Sequence, residues 1–588
     1  MGAIYGFTGP PEATLRRTMG ESLAHRGSSF ACYDEQRRGT VAYQSHHTPP
    51  SSDPIAAGSL DVGLFSDGQQ VVALAGFLTC GQTKAGLAGL LQRYRQEGLA
   101  FVRELQGDFV LAVLDGPQLH LVRDGSGART IYYGRHAGRF LFGVEPKALW
   151  QSPGFDKRLR AAALAQYLTF SFVPGEGTML ENIFELPAGH AVTLDPGKDP
   201  KMWRYFVFED DQHEEDGRNH PDQWWVDRFR QTFARSVAER MPANESPVVF
   251  LSGGLDSSVV TAEVARQSTK PVRTFALHFG EKYPHELEYA AAVAARCGTQ
   301  HEEILIRPDD FLPRLRQMIW HLDDPIGDPI TMPNFELAQR TAQYSNRVFN
   351  GEGGDPCFGG PKNIPMLLSH WYGGVERDDR FRERAYLASY RRGYEEISRL
   401  LAPEWRAQID ERRDLDQVIR PFFEASRPER FLDKLSSINI RLKGAHLILP
   451  KVERMLGAAR IVPLSPLFSE AMIRLSFQMP SRLKLAGGVE KVVLKRAYED
   501  QLPPEVIARP KSGMRVPVHF WFRGEMKRYA RKILNPRHVR RAGMFDPERV
   551  KQLLNYDTQE GPGRYGIRLW MLITLEMWRR IVIEGESP

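Results

Sequence analysis

The sequence predicts a two-domain protein of the mixed α+β and α/β class, in which a β-sandwich precedes a parallel sheet covered by helices. Three observations lead to this fold class. At 588 residues the chain is long enough for two or more hydrophobic cores. Short apolar or alternating runs, separated by turn residues, fill the first third of the chain and are typical of a sandwich. After residue 248, strand patterns alternate with helical ones, which indicates a parallel sheet.

The composition is typical of a soluble globular protein, with 42% apolar and 26% charged residues. The net charge of +6 is spread along the chain, which favours solvated helix faces over nucleic-acid binding. No long apolar run and no signal-peptide pattern is present, so we expect no membrane segment and a cytoplasmic location. The 4 cysteines form no CxxC pair, so neither a zinc site nor a disulfide framework is indicated.

The first domain is predicted to span residues 1–206. Its strands are indicated by a run that ends at a glycine turn and by five later runs, with one helical segment (85–96) between them. These strand runs cover residues 1–9, 71–76, 108–114, 119–123, 130–133 and 140–144. Turn residues separate these runs, which favours a β-rich sandwich.

The two domains are predicted to be joined by a linker at residues 207–224, where the chain is polar, charged and rich in turn residues. Helical spacing over residues 224–240 then opens the second domain, residues 225–588. That helix leads into an apolar strand that ends at Leu251.

The central motif of the second domain is Leu251-Ser252-Gly253-Gly254-Leu255-Asp256-Ser257, which follows a strand and opens a helix. The glycines let the backbone approach a ligand closely, and free N–H groups at a helix N-terminus suit an anion. Asp256 would repel phosphate unless a cation lies between them. The motif therefore predicts a pyrophosphate-binding loop with a Mg²⁺ ligand built in. A bare Gly-Gly turn is usually only a turn, and the longer string after a strand is what favours a site.

A second motif is Asn350-Gly351-Glu352-Gly353-Gly354-Asp355, which also follows an apolar strand. An isolated Glu-x-x-Asp is usually a solvated turn, but strand ends of one parallel sheet meet at one edge. We therefore expect Asp256 and Asp355 to share Mg²⁺ ions at the phosphates of ATP, with Glu352 as a general base or an anchor for an amine. The predicted nucleotide-binding residues are Leu251, Ser252, Gly253, Gly254, Asp256, Ser257, Leu277, Asn350 and Gly351.

Several strings together resemble the asparagine synthetase superfamily over nearly the whole chain. His25-Arg26-Gly27, Gln106-Gly107-Asp108-Phe109 and Glu145-Pro146-Lys147-Ala148-Leu149 are similar to its glutaminase domain, and Asn350 to Gly360 is similar to its synthetase domain. The resemblance implies an N-terminal glutaminase-like (Ntn) β-sandwich and a C-terminal α/β PP-loop ATP pyrophosphatase domain. It also implies ATP and Mg²⁺ as cofactors.

The chain departs from this family where glutamine hydrolysis would take place. The family uses an N-terminal cysteine, exposed after removal of Met, whereas this chain has Gly2. Glycine has no thiolate to attack a glutamine amide. The glutamine-holding Asn-Gly-Glu is replaced by Ala75-Gly76-Phe77. We therefore expect no glutaminase activity and a structural role for the first domain.

Further site residues follow from the resemblance alone. The acidic loop from Asp323 to Thr331 lies where the family builds its substrate pocket, which makes Asp324, Asp328 and Thr331 candidates to hold an amine. Arg454 is implied as a phosphate ligand, with structural packing as the alternative. Lys511 is implied to contact the polyphosphate and to stabilise charge during amide formation. The aspartate-binding Thr-Thr-x-Arg of bacterial asparagine synthetases is missing from the loop, so free aspartate is a doubtful substrate.

The predicted function is an ATP-dependent amide ligase that adenylates a carboxylate, releases pyrophosphate and couples the acyl group to an amine. Relatives without the cysteine include β-lactam and carbapenam synthetases and lasso-peptide cyclases. β-Lactam synthetase has tyrosine at the position of Glu352, so that enzyme itself is disfavoured. We favour intramolecular or peptide amide formation, as in a macrolactam cyclase that works with a leader-binding protein and a leader peptidase. The alternatives are amidation of a small acid by ammonia or an amine, and a non-catalytic nucleotide-binding paralogue.

Overall fold

The structure is a computed structural model. It describes residues 2–35, 38–46, 63–79, 86–209, 220–242, 245–360, 363–372, 379–390, 397–510, 514–555 and 565–588. Lys511 lies outside the described residues, so its predicted role stays a prediction. Among the helices that are described, none has the length and apolar character that would be needed to cross a membrane.

The first domain folds as the predicted sandwich of two antiparallel sheets, each six-stranded in the described part of the chain. One sheet has the order β10-β8-β9-β1-β3-β2 and the other β12-β11-β7-β6-β5-β4. The strands are β1 Ala3–Thr8, β2 Ser29–Glu35, β3 Gly39–Ser45, β4 Gly63–Ser66, β5 Gln70–Leu78, β6 Gly107–Asp115, β7 Gln118–Arg123, β8 Tyr132–His136, β9 Arg139–Gly143, β10 Ile183–Glu185, β11 His190–Leu194 and β12 Lys201–Arg204. The helices are α1 Ala13–Ser22, α2 Gly86–Glu97, α3 Pro146–Leu149 and α4 Ala161–Phe170, with 3₁₀ turns at Ala24–Arg26 and Gly98–Glu104.

Strand β5 shows why the sandwich strands are apolar on both faces. Val71 and Ala73 point into the core between the two sheets, whereas Val72 and Leu74 belong to a second core. That second core also contains Leu90 of α2 and Phe229 of the next domain. Because side chains alternate along a strand, a strand between two cores becomes a continuous apolar run.

The second domain is built on a parallel sheet of order β15-β14-β13-β16-β17. The chain starts at β13, adds β14 and β15 on one side, and then crosses to add β16 and β17 on the other. The crevice at the carboxyl ends of β13 and β16 is therefore a topological switch point, where α/β sheets bind ligands. The strands are β13 Val248–Phe250, β14 Arg273–His278, β15 Gln300–Leu305, β16 Arg347–Phe349 and β17 Val462–Leu464.

Helices cover this sheet and form the rest of the domain, with one hairpin, β18 Leu485–Ala486 and β19 Val489–Glu490. They are α5 Asp222–Ala238, α6 Leu255–Gln267, α7 Leu287–Cys297, α8 Pro308–Phe311, α9 Leu315–Leu322, α10 Thr331–Thr341, α11 Gly354–Phe358, α12 Asn363–Tyr372, α13 Phe381–Ser389, α14 Ile397–Leu400, α15 Pro403–Arg406, α16 Gln417–Glu424, α17 Phe431–Ile438, α18 Leu449–Gly457, α19 Glu470–Gln478, α20 Ser481–Lys484, α21 Val492–Tyr498, α22 Pro504–Ala508, α23 Val518–Arg523, α24 Lys527–Ile533, α25 Pro536–Ala542, α26 Pro547–Asn555 and α27 Tyr565–Val582. Shorter 3₁₀ or π segments are Leu312–Arg314, Arg412–Asp416, Asn439–Ile448 and Pro466–Phe468.

A buried ion network joins the two domains. Arg26 of the first domain lies 2.5 Å from Glu145 and 2.5 Å from Glu453 of the second. Arg454 lies 3.0 Å from Asp323 and 3.2 Å from Glu145. The network consists of six almost fully buried side chains: Arg26, Glu145, Lys147, Asp323, Glu453 and Arg454. Buried charges of this kind are stable only when every one has partners.

Glu470 lies at the same domain interface, at the start of α19. Its Oε1 accepts a hydrogen bond of 2.6 Å from the Gly125 N–H of the first domain. Burial, together with the nearby Asp124 carboxylate, raises the pKa of Glu470 to about 8. The folded protein therefore holds a proton on this carboxyl at neutral pH that the unfolded chain releases.

This difference predicts a pH dependence of stability. A folded-state pKa above the unfolded value means that the stability contributed by Glu470 is complete below about pH 4.5 and is lost as the pH rises to about 8. Between pH 5 and 8 the wild type should lose at least about 1 kcal/mol of unfolding free energy that Glu470→Gln does not lose. Urea unfolding followed by tryptophan fluorescence measures this. Glu548→Gln, an exposed carboxyl, should behave like the wild type; parallel curves for wild type and Glu470→Gln would contradict the prediction.

Candidate active site

The glycine-rich loop after β13 is a tight turn that only glycine permits at its centre. Gly253 has a φ of +80°, and a Cβ there would lie 2.7 Å from the Glu286 carbonyl oxygen. The chain then enters α6 at Leu255. The N–H groups of the first turn of α6 are consequently presented at the carboxyl edge of the sheet, which suits an anion.

Two serine hydroxyls line this helix N-terminus. The Ser252 and Ser257 hydroxyl oxygens lie 3.1 Å apart. Ser257 donates to the Gly254 carbonyl at 3.0 Å, and Ser252 accepts from the Gly254 N–H at 3.3 Å. The loop thus holds both hydroxyls beside the free N–H groups, where phosphate oxygens can accept from them.

The second motif lies against the first, as the sheet order requires. Asn350 follows β16, and its Oδ1 accepts from the Glu352 N–H at 3.0 Å and from the Ser465 hydroxyl at 2.9 Å. A Cβ on Gly351 would lie 2.6 Å from the Ser257 nitrogen. Glycine at 351 therefore lets this loop pass directly over the start of α6.

Lys491 connects the two predicted metal-binding carboxylates. Its Nζ lies 2.6 Å from Asp256 Oδ2 and 2.6 Å from Asp355 Oδ1. The lysine is buried and has a φ of +54°, in the left-handed region that residues with side chains rarely adopt. Such backbone strain is found mainly at functional sites, where the surroundings maintain it. The pair Asp256 and Asp355 is thus placed as predicted, with a lysine between them.

Gly354 makes room for the Asp256 carboxylate. A Cβ at this position would lie 2.2 Å from Asp256 Oδ1. Any side chain at this position would displace the Asp256 carboxylate in this arrangement. Glycine is therefore what allows Asp256 to approach Lys491 beside α11.

These groups surround a cavity of about 250 Å³. Two predicted residues do not line the cavity directly. Gly253 forms the turn behind it, and Asp355 contacts Lys491, which lines it. Apolar side chains of β14, Phe275 and Leu277, form a wall where a flat nucleobase can pack. The predicted residues that line the cavity are Leu251, Ser252, Gly254, Asp256, Ser257, Leu277, Asn350, Gly351 and Glu352.

Asp256 and Asp355 fit a Mg²⁺ ion that also binds phosphate. Two carboxylates beside one Nζ are close enough for a cation to bridge, and Mg²⁺ usually binds through one or two carboxylates plus substrate phosphates. Within the described parts of the chain, no group of three or more His, Cys, Asp or Glu side chains could hold a metal ion alone. The remaining ligands would therefore be phosphate oxygens and water.

Three cations of the cavity were not predicted from the sequence: Lys491, Lys495 and Arg509. Lys491 and Lys495 are one helical turn apart at the start of α21, so both side chains face the cavity. Arg509 lies over the Tyr289 ring at 4.1 Å and donates to the Gly253 carbonyl. The sequence feature that could have indicated the two lysines is their Lys-x-x-x-Lys spacing shortly after the Gly487-Gly488 turn.

The predicted substrate loop contributes differently from what we expected. Ile330, and Asn334 and Leu337 of α10, line the cavity, whereas Asp324, Asp328 and Thr331 do not. Asp324 accepts from the Met179 N–H of the first domain at 3.0 Å, and burial raises its pKa to about 7.

The other two loop residues act within the loop. The Asp328 backbone carbonyl accepts from the Thr331 hydroxyl at 2.9 Å, and the Asp328 carboxylate lies 3.7 Å from Lys451. Thr331 itself is fully buried. In this structure Asp324, Asp328 and Thr331 shape the loop and do not line the cavity, so their interpretation as ligands of an amine stays a prediction.

The interpretation of Arg454 as a phosphate ligand is corrected. Its guanidinium donates to the Thr130 hydroxyl at 2.7 Å and to the Val144 carbonyl at 3.1 Å, both in the first domain. It is buried in the ion network with Asp323 and Glu145. Its function is the structural alternative, attachment of the two domains.

The fold and the site together define the class: an α/β domain with a cavity suited to phosphate at a switch point beside paired carboxylates, preceded by a sandwich. Comparison with known families makes this specific. A model described as asparagine synthase matches residues 228–580, and one described as a glutamine amidotransferase domain matches residues 81–206. The chain belongs to the asparagine synthase family, and this membership supports ATP-dependent carbon–nitrogen ligation as its general reaction class.

Individual relatives are distant in sequence. Asparagine synthetase 1 (glutamine-hydrolysing) of Bacillus subtilis strain 168 is 25% identical over 525 residues, which cover 84% of this chain and 80% of that protein. Asparagine synthetase 3 of the same organism is 24% identical over 452 residues, covering 72% and 69%. Amidase chry2 of Gibberella zeae is 25% identical over 285 residues, covering 45% and 42%.

The geometry predicts that Lys491 is needed for ATP binding. Lys491→Gln removes the charge beside the phosphate site, so the affinity for MgATP should fall by about ten- to a hundred-fold, typical of a lost charge-assisted contact. Isothermal titration calorimetry measures it, and the thermal midpoint shows whether the fold is kept. Lys551→Gln, an exposed lysine, is the matched control. An unchanged affinity in a folded Lys491→Gln protein would remove Lys491 from the site.

Proposed function

We propose that this protein is an ATP-dependent amide ligase that activates a substrate carboxylate as an acyl adenylate and couples it to an amine carried by a substrate. The observation that supports it most is the position of Lys491 between Asp256 and Asp355, in front of the Ser-Gly-Gly loop. Cations, paired carboxylates and helix N–H groups converge there on one cavity. Such a site suits displacement at a phosphate of ATP.

In the first step, a carboxylate oxygen of the substrate forms a bond to the α-phosphorus of ATP. The bond from that phosphorus to the bridging oxygen breaks, and pyrophosphate leaves with the electron pair. The N–H groups of α6 and the Ser252 and Ser257 hydroxyls donate to the departing group, while Lys491 and Lys495 neutralise its charge. Mg²⁺, held by Asp256 and Asp355, would supply further neutralisation when bound.

In the second step, an amine attacks the acyl carbon, the bond to the AMP oxygen breaks, and AMP leaves. The amine must lose a proton during this step. Glu352 lines the cavity next to Asn350, and its carboxylate is the group that we propose accepts the proton. The chain's contribution is mainly positioning and charge neutralisation.

We further propose that the first domain does not hydrolyse glutamine. A Cβ on Gly2 would lie 3.0 Å from the Tyr43 ring, so a nucleophilic side chain here would be crowded and Tyr43 would have to shift by a few tenths of an ångström. The region of Ala75-Gly76-Phe77 is filled as well. The Arg240 guanidinium packs over the Phe77 ring at 5.3 Å and pairs with Asp108 at 3.0 Å. These contacts support an amine that comes from a substrate.

One side of the cavity is formed by α10 and α18, and we call it the acyl side because we propose that the acyl group of the substrate lies there. This side favours an acid other than free aspartate. Where α10 and α18 meet it, the described lining residues are apolar except for Asn334. A free amino-acid carboxylate would need a cation there, as the family's Thr-Thr-x-Arg provides. We therefore propose a peptide or natural-product acid, as in macrolactam formation, with a leader-binding protein and a leader peptidase as the implied partners. The apolar lining residues on that side are Ile330, Leu337, Val452 and Leu456.

Pyrophosphate exchange tests the ligase proposal. Peptides that contain one Asp or Glu should support exchange of labelled pyrophosphate into ATP and formation of AMP, whereas aspartate should not. Asp355→Ala should lower the rate at least a hundred-fold, about 3 kcal/mol of lost charge neutralisation. Asp199→Ala, an exposed aspartate of the first domain, should keep the full rate. Exchange with aspartate and ammonia alone would favour the small-acid alternative.

Ammonia release tests the proposal for the first domain. The purified protein should release no ammonia from glutamine above the rate without enzyme, with or without ATP. Gly2→Cys should not restore release, because Tyr43 crowds the position of the thiol and the Phe77 ring, covered by Arg240, stands where the sequence predicts that the glutamine-holding residues are replaced. A coupled glutamate dehydrogenase assay measures it. Release by the wild type would overturn this part of the proposal.

A further inference from the structure

A second cavity, of about 610 Å³, lies on the surface beside the ligase site. Its walls are α12, α17 and the turn of the β18–β19 hairpin, and we call it the α12 groove. Leu368 and Trp371 of α12 open onto it with 51% and 65% of their surface exposed. Two large apolar side chains exposed on one helix face, next to a cavity, mark a binding surface more often than scattered apolar residues do.

The α12 groove and the ligase site are connected by the same chain segments. Asp355 of the ligase site lies in α11, and α12 begins a few residues later at Asn363. On the other wall, Gly488 lines the α12 groove and Lys491 lines the ligase cavity. Three residues of extended chain span at most about 10 Å. A molecule longer than an amino acid can therefore reach both places.

The floor of the α12 groove is aromatic. The His370 ring stacks on the Phe431 ring, with centroids 3.9 Å apart and planes at 10°. Phe431 also stacks on Phe423 at 5.9 Å, which fixes its orientation. With Leu368 and Trp371, these rings provide a flat apolar surface that suits an aromatic or large aliphatic side chain.

The charged residues that line the α12 groove are mostly cations: Arg382, Arg430 and Lys434, against the carboxylate of Glu429. Arg430 is occupied by Asp433, and Lys434 donates to two backbone carbonyls. Arg382 lies 5.9 Å from the Phe431 ring, and among the described residues no carboxylate is paired with it. Burial, together with the Arg382 charge, lowers the pKa of Lys434. The groove therefore suits an anionic group next to an apolar one.

We propose that the α12 groove binds a peptide substrate through an apolar side chain and a neighbouring carboxylate, while the reacting carboxylate lies at Lys491. The inference rests on the proposed ligase function and specifies its substrate class. The apolar side chain packs on Trp371 and the His370–Phe431 stack, and the neighbouring carboxylate pairs with Arg382. A free amino acid is too short to occupy both places, so the groove selects for a chain that carries a second, distal recognition element.

Labelled peptides test the proposal without any need for catalysis. The probes are fluorescein-labelled ten-residue Gly/Ser peptides with one Glu and, two to six residues away, a Phe-Asp pair. Two reduced sets carry Ala in place of Phe or Asn in place of Asp. Fluorescence anisotropy should show that the wild type binds the full peptides at least five-fold more tightly than either reduced set. Trp371→Ala should remove the preference for Phe, and Arg382→Gln the preference for Asp.

The controls separate this inference from the ligase proposal. Phe30→Ala removes an aromatic ring that is 48% exposed on the first domain and should keep both preferences. Trp371→Ala and Leu368→Ala should leave the affinity for MgATP unchanged, because neither side chain touches the ligase cavity. Asp355→Ala should weaken MgATP binding and keep the peptide preferences. Loss of pyrophosphate exchange with every peptide would therefore refute the ligase while peptide binding is still measurable.

Two outcomes would overturn the inference. Equal binding of full and reduced peptides by the wild type would show that the groove does not recognise the Phe-Asp pair. A preference that persists in both Trp371→Ala and Leu368→Ala would place peptide binding elsewhere. Sedimentation is measured in parallel, and a dimer of the wild type that Trp371→Ala dissociates would assign the groove to a second copy of this chain instead.

Discussion

The buried ion network between the domains is the constraint on which the rest of the structure depends. Asp323 is held at a φ of +65° with its carboxylate between Lys147 and Arg454 and its carbonyl accepting from Trp578. Removing one partner of a buried ion pair costs about 3–5 kcal/mol, because the other charge stays buried without compensation. The charges of the second domain are thus stable only in the presence of those of the first. This dependence explains why a sandwich is retained even if it hydrolyses nothing.

The same network positions one wall of the ligase cavity. Glu453 and Arg454 of α18 point towards the first domain, while Val452 and Leu456, on another face of that helix, line the cavity. Asp323 likewise anchors the start of the loop that leads to Ile330. Since the ion network holds α18 and this loop in place on the side away from the cavity, the acyl side of the cavity can be formed without charged groups of its own. The lysines on α21 complete the opposite, phosphate-binding side.

The sequence was informative where function is encoded locally or by strand adjacency. A strand, two glycines and a helix start predicted the loop at Ser252, and parallel pairing predicted that Asp355 would lie beside Asp256. The partners of Arg454 could not be predicted in this way, because Thr130 and Glu145 are some three hundred residues away in another domain. Lys491 follows β19 of the hairpin and not a strand of the parallel sheet, so the strand order of that sheet gave no indication of its approach to Asp256. Packing of α21 against α5 and α6 brings it there.

The buried ion network does not include residue 2, where the family's nucleophile would stand, and this separation is consistent with the proposed change in the source of nitrogen. The network uses Arg26, Glu145 and Lys147, whereas the family's nucleophile would stand at residue 2, against Tyr43 on the other side of β1. Loss of a side chain at residue 2 therefore leaves the interface, α18 and the ligase cavity unchanged. Loss of Glu145 would not, because Arg26 and Arg454 both depend on it. If the amine comes from a substrate, as we propose, a chain of this fold can lack the nucleophile but still needs the domain that carries residue 2.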